Sequence, residues 1–224
     1  MNLGAIFRTW LDVLTKPGEQ VFEDERVKPQ ATLGTAVLMI LIVGVISALF
    51  AIIRGWLFQA QLAAMGGMDA LFGQANLPPE VQQQLQMIYS ALFTPAVGFT
   101  GALFSIFFSI VGFLIFVGIL YLVGRVLGGQ GEFGRYAYLN AAFVAPVTIV
   151  SALLSFVPIL GGCLSLFLVI YEIVLCYFAT KVEQRLSSGR AIITVLSPLI
   201  LAVILAGCFG VALGGMIATL MNNQ

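Results

Sequence analysis

The chain has 224 residues, 60% of them apolar and only 9% charged, with ten basic residues, ten acidic residues and no histidine. Soluble domains carry roughly 25% charged residues, so this composition excludes an ordinary water-soluble globule. Zero net charge leaves no basic footprint for nucleic acid, and the missing histidine removes the usual zinc sites, Ser-His triads, haem ligation and the commonest proton shuttle, so no cofactor is expected.

Five apolar runs, at 31–53, 97–123, 137–157, 160–180 and 191–213, each approach the ~20 residues needed to cross a ~30 Å hydrocarbon layer. The expected fold class is therefore all-α: a polytopic membrane protein, a bundle of five transmembrane helices with an N-terminal amphipathic helix. Nine of the ten basic residues flank the runs on one side: Arg8, Lys16, Arg26 and Lys28 before the first, Arg125 and Arg135 after the second, and Lys181, Arg185 and Arg190 after the fourth. Arg54 stands alone on the other side. Basic loops resist translocation, which places the N-terminus in the cytoplasm and the C-terminus outside.

Residues 1–30 read as a cytoplasmic arm. Leu3, Ile6, Phe7, Trp10, Leu11 and Leu14 gather on one helical face, and Pro17 and Gly18 end the helix. Such a helix either lies in the headgroup layer or packs on the ends of the bundle. The cluster Glu23, Asp24, Glu25, Arg26, Lys28 reads as a solvated connector, with a partner-binding patch as the alternative. The first apolar run begins too late, and is too long, for the ~7–15-residue core of a cleaved signal peptide.

The outer loop spans 54–93. Its second half, opened by Pro78 and Pro79, places Val81, Leu85, Ile88 and Leu92 on one face, which suggests a helix lying on the outer surface; a lid over a cavity is the alternative. In the second run Gly98, Gly101, Gly112 and Gly118 are candidates for close helix packing, and Ser105 and Ser109 form a polar pair one turn apart. The following loop, rich in glycine from Gly124 to Gly134, lacks the spacing of a phosphate-cradling loop and the strand that should precede it.

Asn140, Pro146 and Thr148 lie in the third run. Pro146 deletes one intrahelical hydrogen bond and is expected to kink the helix. The few residues around Pro158 to Gly162 force the third and fourth helices into a tight antiparallel hairpin. Within the fourth run stands Glu172, near the middle of the span. A mid-membrane acid costs about 2.5–3.5 kcal/mol, close to what the surrounding apolar residues return, so it is expected to face the protein interior, protonated or bonded to Asn140, Thr148, a serine of the second helix or trapped water. It then acts as a buried polar lock, as a proton or cation position in a transport path, or as an oligomer contact. The absence of any further ionisable group within the spans argues against a pump. Cys163, Cys176 and Cys208 lie within helices without Cys-x-x-Cys spacing and read as small apolar residues.

The order of several segments resembles the Yip-one family, the Ypt-interacting proteins, in its bacterial form. These segments are Trp10 to Pro17 followed by Phe22, Tyr121 to Gly129 with Phe133, Tyr138 to Pro146, and Gly189-Arg190-Ala191. The resemblance implies a polytopic protein with a cytoplasmic N-terminus and no catalytic residues; eukaryotic relatives bind Rab-type GTPases and act in vesicle traffic. The Asp-Leu-Tyr-Gly-Pro motif associated with eukaryotic N-terminal regions is missing here, so GTPase binding is doubtful. The expected function is a non-enzymatic adaptor or organiser that binds membrane lipids, other membrane proteins or a second copy of itself. The alternative is a small transporter or channel subunit using Glu172. An intramembrane enzyme comes third, because no span holds an aspartate pair.

Overall fold

The computed structural model describes residues 3–67, 81, 83, 84, 87 and 95–222, and the side chains of 3, 95–99, 158–160, 204–205 and 208–222 are not among what it describes. Every element is helical: α1 (Leu3–Thr15), α2 (Glu19–Arg26), α3 (Leu33–Ala64), α4 (Pro95–Val126), α5 (Phe133–Leu154), α6 (Pro158–Gln184) and α7 (Ser188–Asn222). No strand occurs among the described residues. Four helices, Leu33–Ala64, Thr100–Val126, Phe133–Leu154 and Gly161–Gln184, are long and apolar enough to cross a membrane, and Ser188–Val203 is a shorter apolar helix. The molecule is an all-helical membrane bundle.

Local chemistry sets the helix ends. Thr32 caps α3 by accepting a hydrogen bond from the Thr35 amide at 3.3 Å. Pro158 occupies the first turn of α6, where its missing N–H costs nothing. α6 stops at Arg185, whose φ of 53° and ψ of 39° lie in the left-handed region that glycine normally fills at this position. The helix holding the first apolar run continues beyond it to Ala64. Of the stretch from Leu77 to Leu92 only Val81, Gln83, Gln84 and Met87 are described; all four are helical and exposed, and the surface-helix and lid alternatives otherwise fall outside the described residues.

α5 is the central helix. From Tyr136 to Phe143 every residue is buried, because α3, α4 and α6 pack around it and α1 covers part of its remaining face. Two crossings depend on glycine. A Cβ at Gly44 of α3 would stand 3.1 Å from Ser109 Oγ of α4, and one at Gly161 of α6 would run into the Leu154 carbonyl of α5, which keeps that hairpin as tight as its short connector requires. Large apolar side chains such as Phe107, Phe108, Leu166 and Phe167 remain exposed around the perimeter, as expected where lipid is the solvent.

The amphipathic arm packs on the bundle. Ile6, Thr9 and Val13 of α1 are buried while Phe7 and Leu11 stay exposed, so one flank meets protein and the other faces outward. Phe22 of α2 is fully buried between Phe143 and Phe178, with ring centroids 6.3 and 6.4 Å away. Alternating helix direction brings Arg26, Arg125, Arg135, Lys181 and Arg190 to one end, here called the basic end.

Candidate functional site

Glu172 stands in the wall of a cleft of about 720 Å³ enclosed by α3, α4, α5 and α6. Thr148 and Gly112 line the same cleft, together with Ser47, Ser105, Ser109 and Arg54. Several hydroxyls donate within their own helices: Ser105 to the Ala102 carbonyl at 2.8 Å, Ser109 to Ile106 at 2.8 Å, and Thr148 to Val144 at 2.7 Å. Their protons are thus already used, and what remains is oxygen lone pairs. Ser47 Oγ is buried without a hydrogen-bond partner. Glu172 makes no hydrogen bond or ion pair among the described residues. Around Glu172 the cleft thus offers acceptors, while Arg54 adds a cationic donor to its lining.

The cleft has a floor. Its lining runs along α3 from Ile40 to Arg54 and along α5 from Val144 to Ser155, in the half of the bundle away from the basic end. Below Val144 and Glu172 the interior is filled by Tyr136, Leu139, Phe143, Leu175 and Ala179, all at most 1% exposed. Asn140 belongs to this filling. Its Nδ2 donates to the Tyr136 carbonyl at 2.8 Å, and its Oδ1 accepts from Cys176 Sγ at 3.7 Å. Pro146 is buried inside α5 and does not line the cleft. Of the four polar candidates, the structure therefore brings Glu172 and Thr148 together and leaves Asn140 and Pro146 apart from them.

Among the packing candidates, Gly112 and Gly118 are open: a Cβ on either would meet nothing within 4 Å. Gly101 is half-buried, and the surroundings of Gly98 lie outside the described residues. Cys163 and Cys176 are free thiols; the Cys208 side chain lies outside the described residues.

A second polar site lies at the basic end, around two acids that the local sequence does not mark. Glu25 is only 2% exposed. Its Oε2 accepts from Tyr138 OH at 2.8 Å and from Thr9 Oγ1 at 3.1 Å, while Oε1 pairs with Lys28. The reading of this cluster as a solvated connector is thereby corrected at Glu25, since α2 turns Phe22 and Glu25, three residues apart, onto its inner face, while Glu23 and Asp24 stay exposed. Glu183 is 1% exposed and accepts from the Glu132 amide at 2.8 Å and Arg135 Nε at 3.2 Å; its Oε2 faces Arg26 Nε at 3.9 Å without a hydrogen bond. Helical spacing was the available signal, because Glu183 continues the buried face of Cys176, Ala179 and Thr180.

The glycine-rich loop wraps this end of α6. A Cβ at Gly124 or Gly129 would overlap the Gln184 side chain, and one at Gly131 would lie 2.5 Å from the Glu183 carbonyl oxygen. Tyr121 OH donates to the Gly131 carbonyl at 3.0 Å, and Arg125 holds the Gly129 carbonyl at 3.3 Å. These glycines allow backbone to approach backbone, which explains their density without any phosphate-binding role.

A family model described as the Yip1 domain matches residues 11–209, taking in the second half of α1, the cleft and the buried charges. No curated protein and no solved structure matches the chain.

Proposed function

The chain belongs to the Yip1 domain family, and from that premise we propose that it is a non-enzymatic organiser in the membrane, binding lipids or other membrane proteins and presenting a fixed surface at its basic end. The basic end then faces the cytoplasm of a bacterial cell, with the N-terminus beside it, α7 as the fifth span and the C-terminus outside. The count of Lys and Arg supports this orientation, since only Arg54 falls on the opposite side.

The observation that carries the organiser reading is the solid half of the bundle. A conduit needs a path, and the buried side chains from Tyr136 to Phe143 fill the space between Glu172 and the basic end. Buried carboxylates clamp the arm and the glycine-rich loop there, making a stiff surface of the kind a docking partner uses at low ordering cost. Photo-crosslinking from exposed positions of α1 and of the glycine-rich loop in living cells is the direct test. Recovery of a defined membrane-protein partner, lost when the arm is displaced, supports the reading, and capture of lipid alone at every position removes its protein-binding half.

One observation favours transport as a second reading: the cleft reaches Glu172, which has no protein partner among the described residues. Reconstituted wild-type protein and Glu172→Gln should differ in cation or proton flux if the floor opens. Equal flux at background level leaves the organiser.

A further inference from the structure

A pocket of about 540 Å³ at the basic end is walled by Arg26, Lys28, Arg135 and Arg185, with Glu132 and Thr32 beside them. We propose that it binds a phosphoryl group, and that its four cations form an anion site distinct from the cleft at Glu172.

Three of the cations are fixed from behind. Glu25 holds Lys28, while Glu183, buried and not part of the pocket lining, holds Arg135 at 3.2 Å and stands 3.9 Å from Arg26. Glu23 accepts from Arg26 Nε at 3.0 Å. A guanidinium has five N–H donors in a planar fork, so anchoring through Nε leaves donors for a tetrahedral anion. Positions set in advance by buried carboxylates lower the ordering cost of binding. The competing acid inside the pocket is Glu132, paired with Arg135 at 3.3 Å but with a 66% exposed side chain, and such a surface pair holds weakly enough for a phosphate oxygen to displace it.

Arg185 is the fourth cation, and it has no hydrogen bond or ion pair among the described residues. It is also the one non-glycine residue at positive φ among them. A left-handed cap is normally given to glycine because a side chain there is strained, so an arginine kept at this position with no internal partner points to a ligand outside the chain. Val27, 74% exposed, adjoins the pocket, and the apolar face of α3 begins at Leu33 directly beyond Thr32. This places the pocket at headgroup depth, where a basic recess between helices can take a lipid phosphate as readily as a free one.

The test uses full-length protein in maltoside micelles and phosphate-free buffer, with thermal stability followed against dihexanoyl phosphatidylglycerol and, separately, inorganic phosphate. Saturable stabilisation by the lipid alone identifies a headgroup site, and stabilisation by both identifies a site for the phosphoryl group itself. Arg185→Gly relieves the left-handed backbone, so it should melt at or above wild type without ligand yet bind about tenfold more weakly, as expected for one lost charge-assisted contact. Arg8→Gln, an exposed charge outside the pocket, should bind as wild type does. Absence of stabilisation by either ligand, or equal weakening by Arg185→Gly and Arg8→Gln, overturns the proposal.

Discussion

Tyr138 donates its hydroxyl to Glu25 Oε2 at 2.8 Å across 113 residues of chain, and so ties the N-terminal arm to the central helix through a fully buried bond. Hydrogen bonds to charged groups contribute about 1.5–3 kcal/mol net. Tyr138→Phe should cost about that much, because Thr9 and Lys28 still satisfy Glu25. Thermal unfolding in detergent reads the loss, and faster tryptic cleavage after Arg8 and Arg26 reads the loosening of the arm. An unchanged cleavage rate would mean that apolar packing, with the bonds of Tyr171 to the Leu14 carbonyl and of Lys181 to Glu19, holds the arm in place.

Phe22 provides that apolar packing. Its ring meets Phe143 edge-on and stacks on Phe178, and truncation would leave a cavity between α2, α5 and α6. Phe22→Ala is expected to cost about 3–5 kcal/mol, and a double-mutant cycle with Tyr138→Phe should show coupling, since both contacts immobilise the same helix.

How much of this was readable from sequence differs between solvent and partner. The apolar runs were legible because lipid demands long unbroken apolar segments, and among the described residues four helices are long and apolar enough to cross a membrane, with a shorter apolar helix after them. Glu25 and Glu183 were not, because a charge within a charged stretch looks the same locally whether it meets water or a tyrosine from 113 residues away. Glycine shows a similar limit. Spacing drew attention to Gly112 and Gly118, which turn out open, while close approaches fall at Gly44, Gly124, Gly129, Gly131 and Gly161, where a second backbone or a neighbouring side chain arrives. Sequence shows where a backbone could come near, and only the fold supplies the neighbour.

Gly131 and Gly118 therefore make a contrasting pair. A methyl group at Gly131 would press on the Glu183 backbone, which cannot swing aside as a flexible side chain could. Gly131→Ala should destabilise by about 1–3 kcal/mol. Gly118→Ala meets nothing within 4 Å and should be neutral or slightly stabilising through helix propensity. Melting temperatures of the two variants, measured side by side, decide it.

Orientation can be checked at two positions that tolerate a new side chain. Gly55 and Gly189 both have free space where a Cβ would stand, and they lie toward opposite ends of the bundle. In a background with Cys163, Cys176 and Cys208 replaced by alanine, an impermeant maleimide added to intact spheroplasts should label Gly55→Cys at once and Gly189→Cys only after lysis. The opposite pattern would invert the proposed topology.

Glu172 is the sharpest case, because its two roles predict opposite signs. A carboxyl that locks helix register must be bonded to something, and removing one side of a buried polar pair is costly. Glu172 has no hydrogen bond or ion pair among the described residues, and it faces a cleft rather than a neighbouring donor. Without a partner, the carboxyl contributes desolvation cost and little else, and water in the cleft only reduces that cost. Glu172→Leu should therefore raise thermal stability by about 1–3 kcal/mol, mostly below the full mid-membrane penalty of an acid because water in the cleft relieves part of it. A loss of stability of that size would show that Glu172 bonds to protein after all and would return it to the role of a structural lock. A gain would mark it as a residue kept at the expense of stability, the signature of a site that meets a ligand.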